Sequence, residues 1–108
     1  MTTLKSRHFR ELYKNGKKFY CKLFIIFVLP NDLDYNRIGI TVSKKIGNAV
    51  IRNKVRRRIR EVVRLNTSAL GKGLDIAIVA KREITRVKYA EICKSFLYLA
   101  GKLYSAYL

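Results

Sequence analysis

Acidic residues are scarce in this chain of 108 residues: seven Asp and Glu stand against 24 Lys and Arg, a formal net charge of +17. A chain so one-sided repels itself and is relieved by a polyanion. Nucleic acid, an anionic membrane surface and an acidic protein are therefore the partners to weigh. The shortage also limits chemistry. Metal-dependent hydrolysis by a polypeptide needs clustered carboxylates, and no two acids stand at helical spacing; only Asp32, Asp34 and Asp75 could in principle converge. The lone His8 has no Ser/His/Asp arrangement around it. Of two cysteines, Cys21 and Cys93, neither belongs to a CxxC pair or lies near His8, which argues against zinc and for two thiols that serve as small hydrophobes in an intracellular, cytoplasmic protein. One proline and six glycines leave no room for a long linker, and there is no internal repeat. The longest apolar run, Leu23 to Leu29, is about a third of the ~20 residues that cross a bilayer as a helix. Met1 to Arg10 is polar and basic, unlike a signal peptide. What the chain does have is a hydrophobic fraction of 49%, enough for one packed domain over residues 1–108.

The local signals give an order of elements. Ser6 is placed to cap a helix ending near Asn15, with Gly16 as its stop. There Phe9, Leu12 and Tyr13 share a face beside a stripe of Arg7, Arg10 and Lys14. Lys17 to Leu29 is rich in aromatic and β-branched residues, which reads as two strands or one bent strand. Pro30-Asn31-Asp32 marks a turn, and Arg37 to Ser43 a further strand. Asn48 is a candidate N-cap for a helix from Ala49 to Leu65. After a loop from Thr67 to Gly73, Leu74 to Ala80 reads as a buried strand. Thr85 or Arg86 opens a last helix to about Tyr104, in which Tyr89, Ile92, Cys93, Phe96, Leu99, Ala100 and Leu103 keep a 3.6-residue period. The pattern predicts an α+β sandwich, α-β-β-β-α-β-α, with a possible βαβ crossover between 37–43 and 74–80.

The helix over 49–65 carries the strongest signal. Ile51, Val55, Ile59, Val62 and Val63 gather on one stripe that would dock it on the sheet. Asn53, Arg56, Arg57, Arg60 and Arg64 lie opposite, flanked by Arg52, Lys54 and Arg58. Lys44 to Arg64 holds nine basic residues and one acid, Glu61, whose i,i+4 partner is Arg57. Like charges such as Arg52–Arg56 and Arg56–Arg60 disfavour the isolated helix, and an array of phosphates removes that repulsion. Arginine suits phosphate because its planar fork contacts oxygens in pairs. Lys44, Lys45 and the amides of Gly47 to Ala49 stand at the helix N-terminus, which favours anions. Asn53 is either a hydrogen-bond donor to a ligand or a tolerated surface residue. For Phe9, Tyr13 and Phe27 core packing is the first expectation, and stacking of unpaired bases is the alternative that their basic neighbours raise.

The segment from Ile40 to Arg60, Ile-Thr-Val-Ser-Lys-Lys-Ile-Gly-Asn-Ala-Val-Ile-Arg-Asn-Lys-Val-Arg-Arg-Arg-Ile-Arg, resembles the signature of the bacterial ribonuclease P protein subunit. At its heart is Arg52-Asn53-Lys54, followed by Arg56, Arg57 and Arg60; Phe9 to Gly16 resembles the family's first helix. The resemblance implies a ribosomal protein S5 domain 2-like fold with a central, mostly antiparallel sheet and a left-handed βαβ crossover, against the usual right-handed preference. It implies a protein that joins a catalytic RNA to remove the 5′ leader of precursor tRNA, with Mg²⁺ held mainly by the RNA, no catalytic group on the protein, no metal ligand on it and no obligatory protein partner. By the same resemblance Phe9, Tyr13 and Phe27 would line a leader cleft. Arg52, Asn53, Lys54, Arg56, Arg57 and Arg60 would face the catalytic RNA near the active site, and Lys44, Lys45, Asn48 and Arg64 complete the expected RNA-binding set. The chain departs from many relatives in two ways: Lys54 stands where a second arginine is common, and little basic sequence precedes the first helix.

Three other readings remain. A structural ribosomal-type protein would share the basic helix but not the cleft. A helix-turn-helix needs a partner helix just before its recognition helix, where the strand 37–43 stands instead. A membrane-surface helix would need the stripe Ile51 to Val63 for lipid, and the core claims it.

Overall fold

Side chains alternate along a strand between the two faces of a sheet, and this chain buries both faces, one deeply and one in part. The computed structural model describes residues 2–107; residues 1 and 108, included in the expected domain, lie outside them. In chain order come β1 (Thr2–Thr3), α1 (Ser6–Asn15), β2 (Lys17–Tyr20), β3 (Phe24–Pro30), β4 (Arg37–Thr41), α2 (Ala49–Leu65), β5 (Leu74–Ala80) and α3 (Tyr89–Tyr107). Short 3₁₀ turns occupy Lys44–Ile46, Thr67–Leu70 and Arg82–Arg86. The strands form one sheet in the order β1-β4-β5-β3-β2. β3 runs antiparallel to both β5 and β2, whereas β4 is parallel to β5 and β1 to β4. The sheet is thus mixed, and β4-α2-β5 is the expected crossover unit.

Register divides the layers. Phe24, Ile26 and Val28 lie opposite Ala80, Ile78 and Ile76, and Ile38 lies opposite Ile76. This face packs on Val55, Ile59, Val62 and Val63 of α2 and on Ile92, Phe96, Leu99 and Leu103 of α3. On the other face Phe27, Ala77 and Gly39 form a row across β3, β5 and β4. There α1 packs through the buried Leu12, with Phe9 and Phe27 beside it.

Several boundaries depart from the sequence reading. The segment 17–29 is two strands, joined where the Cys21 N–H donates to the Phe24 carbonyl at 3.0 Å. A two-residue strand, β1, precedes α1 and was not expected. Ser6 does not cap α1 but is its first residue; Lys5 holds the cap position, and its N–H donates to His8 Nδ1 at 2.9 Å. Gly16 does end the helix, through close approach rather than an unusual φ: its φ is −69°, and a Cβ there would meet the Leu12 carbonyl oxygen at 2.4 Å. The strand from Arg37 stops at Thr41, the loop 67–73 contains a 3₁₀ turn, and α3 begins at Tyr89 because 82–86 also winds as 3₁₀. Tyr89, expected in the core stripe, is 36% exposed and stands outside the buried core.

One ion pair ties the sheet together. Arg37 on β4 donates from Nε and Nη2 to the two carboxylate oxygens of buried Asp75 on β5, at 2.7 and 2.8 Å. Asn31, in the turn after β3, adds a third donor at 3.0 Å. Burial pushes the Asp75 carboxyl up, but the hydrogen bonds from Arg37 and Asn31 and the Arg37 charge outweigh it, so its pKa lies below the usual carboxylate value. A depressed folded pKa means stability present above the unfolded pKa and lost as pH falls through the folded one. Asp75→Ala should therefore lower stability at neutral pH by about 1–3 kcal/mol, leaving the Arg37 guanidinium without its partner. It should also flatten the acid limb of stability against pH. Urea unfolding midpoints of both proteins at neutral and acidic pH test this; equal midpoints at neutral pH would reduce the pair to an ornament of the surface.

Candidate nucleic-acid interface

The α2 helix begins as its sequence requires. Asn48 Oδ1 accepts from the Ile51 N–H at 3.0 Å, satisfying one of the free donors of the first turn. Val55, Ile59, Val62 and Val63 are buried against the core. Ile51 is the exception within the predicted stripe. It is 40% exposed, because it stands in the first turn beside Gly47 and lines an open groove with Lys54, Val55, Arg58 and Thr85.

Docking this stripe turns the basic face outward. Lys44, Lys45, Asn48, Asn53, Lys54, Arg57, Arg60 and Arg64 are exposed, and Arg52, Arg56 and Arg58 are half-buried. Local pairing is different from the expected one. Glu61 joins Arg64 three residues on, accepting from Nη2 at 2.7 Å and Nε at 3.1 Å, and not Arg57. The fork of Arg64 reaches both Glu61 oxygens, and the hydrogen bond from Arg64 holds the Glu61 carboxyl below its usual range. Arg57 and Arg60 make no ion pair among the described residues. Arg56 Nη1 donates to Asn53 Oδ1 at 3.0 Å, which leaves the Asn53 amide hydrogens free to donate elsewhere. The Nε of Arg52 is buried with no hydrogen-bond partner; an unsatisfied buried donor costs about 1–3 kcal/mol and is relieved by an incoming acceptor.

The other face of the sheet carries the aromatic group. Leu12 is buried and anchors α1, while Phe9 and Phe27 are half-buried and Tyr13 is 44% exposed. The Phe9 and Tyr13 rings lie 6.0 Å apart at 43°, and Tyr13 meets Phe27 edge-on at 5.1 Å and 72°. The Tyr13 hydroxyl is hydrogen-bonded to Thr41 Oγ1 at 3.0 Å. The three aromatics named from the sequence thus form one cluster, half core and half open. Phe9 can lie this low because β4 offers Gly39 beneath it: a Cβ there would sit 2.2 Å from Phe9 Cζ. A glycine inside a strand signals such close approach, but the sequence reading passed over it. Thr41 left no sequence signal.

The two surfaces adjoin. Phe9, Gly39 and Ile40 share a groove of about 220 Å³ with Thr3, Leu4, Ile38 and Arg60 of α2. Among the described residues no three His, Cys, Asp or Glu side chains come together as a metal-holding group; Glu61 is taken by Arg64 and Asp75 by Arg37 and Asn31. Asp75 is thus a sheet clamp and not one vertex of a carboxylate cluster with Asp32 and Asp34.

Fold and site define a small α+β domain with an arginine face beside an open aromatic cleft, one suited to phosphates and the other to unpaired bases. The chain belongs to the ribonuclease P protein family, whose model, described as Ribonuclease P, matches residues 2–104. It is 45% identical over 98 residues to the ribonuclease P protein component of Syntrophus aciditrophicus, covering 91% of this chain and 82% of that one. It is 46% identical over 95 residues to the corresponding component of Lachnoclostridium phytofermentans, covering 88% and 82%. Among solved structures, the RNase P protein from Thermotoga maritima superposes with a TM-score of 0.86 at 31% identity, covering 94% of this chain and 97% of that one. The Staphylococcus aureus RNase P protein gives 0.83 at 32%, covering 98% and 94%. No helix among the described residues is long and apolar enough to cross a membrane.

Proposed function

We propose that this chain is the RNA-binding subunit of a cytoplasmic ribonuclease P, assisting a catalytic RNA in removing the 5′ leader of precursor tRNA. The α2 arginine face holds phosphates of the catalytic RNA, and the Phe9, Tyr13 and Phe27 cleft stacks bases of the single-stranded leader. One observation carries this reading: Arg60 of the basic face and Phe9 of the aromatic cluster line the same groove. One small domain can therefore grip two RNA strands side by side. The Mg²⁺ of the reaction supplies Lewis-acid and water-activating chemistry when bound, and its oxygen ligands come mainly from RNA. The protein contributes cations that offset crowded phosphates, which raises substrate affinity and eases metal binding. The chain needs no obligatory protein partner for this.

Reconstitution tests the reading. The protein with a bacterial ribonuclease P RNA should cleave precursor tRNA at Mg²⁺ concentrations where the RNA alone is slow, and the protein alone should leave the substrate whole. RNA cleavage indifferent to added protein would instead favour a structural ribosomal-type role.

A further inference from the structure

The cleft does not end at Phe27. Register places Lys18 of β2 opposite Phe27 and Tyr20 opposite Ile25, so both project on the α1 side of the sheet. A second row, Thr41, Val79, Ile25 and Tyr20, runs across β4, β5, β3 and β2 beside the hydroxyl of Tyr13. Val79 and Ile25 in this row are only half-buried. At its end the Tyr20 ring is 67% exposed, and the Lys18 ammonium lies 5.8 Å from its centroid. Edge strands carry lysine to discourage pairing with other chains, which accounts for Lys17 and Lys18. It does not account for an aromatic ring held open beside them. On α3, which packs against β2, the Lys102 ammonium sits 4.8 Å over the exposed Tyr98 ring, repeating the pairing of cation and ring along the same edge.

We propose that Tyr20 and Lys18 form a second stacking station for single-stranded RNA, prolonging the leader track across the sheet to its β2 edge. The inference rests on the leader reading given above. Its direction follows from strand order: the arginine helix adjoins the cleft at β4 through Arg60, and β2 is the opposite edge. With the catalytic RNA, and so the cleavage site, on the α2 side as proposed above, Tyr20 takes leader nucleotides farther from the cleavage site than those at Phe9 and Tyr13. The ring supplies stacking that tolerates any base, and Lys18 supplies a charge for the adjacent phosphate.

The test uses reconstituted holoenzyme and two precursor tRNAs, identical except that one leader is trimmed to the few nucleotides next to the cleavage site. Tyr20→Ala should weaken binding of the long-leader substrate about five- to a hundredfold, the range for one stacked base. It should leave the short-leader substrate and mature tRNA unchanged, and Tyr20→Phe should restore the affinity. Lys18→Gln should flatten the salt dependence of long-leader binding by up to about 0.7 in slope. Tyr13→Ala is the control for the cleft itself and should weaken both precursors. Unchanged long-leader affinity in Tyr20→Ala, or an equal loss for long and short leaders, overturns the second station while Tyr13 still separates precursor from mature tRNA. If Tyr13→Ala also fails to separate them, the cleft reading falls and this one with it.

Discussion

Replacing Arg56 and Arg60 together with alanine is expected to weaken binding to the ribonuclease P RNA by well over tenfold and to flatten its salt dependence. Hydrogen bonds to charged groups contribute about 1.5–3 kcal/mol each, and 1.4 kcal/mol is a factor of ten. Each phosphate that the helix no longer neutralises should lower the slope of log K against log salt by about 0.7–0.9, depending on whether the bound strand is single or paired. The two arginines are not equivalent. Arg60 is exposed and lines the groove shared with Phe9, whereas Arg56 is half-buried and oriented by Asn53 Oδ1. Arg60→Ala should therefore act on affinity with little effect on folding, and Arg56→Ala should also release the Asn53 side chain. Stability of the free protein should rise or hold in the double variant, because it removes three like-charge i,i+4 pairs, Arg52–Arg56, Arg56–Arg60 and Arg60–Arg64. Filter binding or fluorescence titration across a salt series measures this. A slope equal to that of the unmodified protein would take this helix out of the interface.

Gly39→Val is expected to damage the leader cleft without touching a charge. The φ of an extended strand accepts valine readily, so the damage is steric. A Cβ at 39 would fall 2.2 Å from Phe9 Cζ, forcing the ring off the sheet and Tyr13 with it. Overpacking of this kind costs about 1–3 kcal/mol. The variant should lose the preference for precursor over mature tRNA while retaining affinity for the ribonuclease P RNA. The second substitution Phe9→Ala in the same chain makes room for the valine, so it should recover most of the stability but none of the preference. Urea unfolding and paired binding measurements separate the two effects; recovery of the preference in the double variant would mean that Phe9 is core only.

The parts of this molecule that were legible in the sequence are those in which a local pattern has one physical solution. The 3.6-residue period of 49–65 yields a docked helix with basic residues outward, and Asn48 caps it because a side-chain oxygen there has few alternatives. The grouping of Phe9 and Tyr13 followed from helical spacing. Where the sequence reading missed, the deciding partner was remote or one of several within reach. Ser6 lost the cap position to Lys5 because a helix start shifts by one residue at small energy, and His8 provided the acceptor. Glu61 had Arg57 and Arg64 within reach on either helical spacing, and the Arg64 fork meets both carboxylate oxygens. Ile51 fits the apolar stripe by angle, yet the stripe reaches core only from Val55 onward.

By itself, then, the amino-acid sequence determined an α+β domain of large positive charge, the arginine face, its cap and its resemblance to one family, because charge, periodicity and capping act over a few residues. The tertiary structure decided what contacts across the sheet decide. It set Phe9 down on Gly39, brought Phe27 from β3 to the ring of Tyr13, put Arg60 beside Phe9, and carried the open row out to Tyr20. Strand order and register create those neighbours, and residues so far apart in the chain leave no periodic trace of meeting.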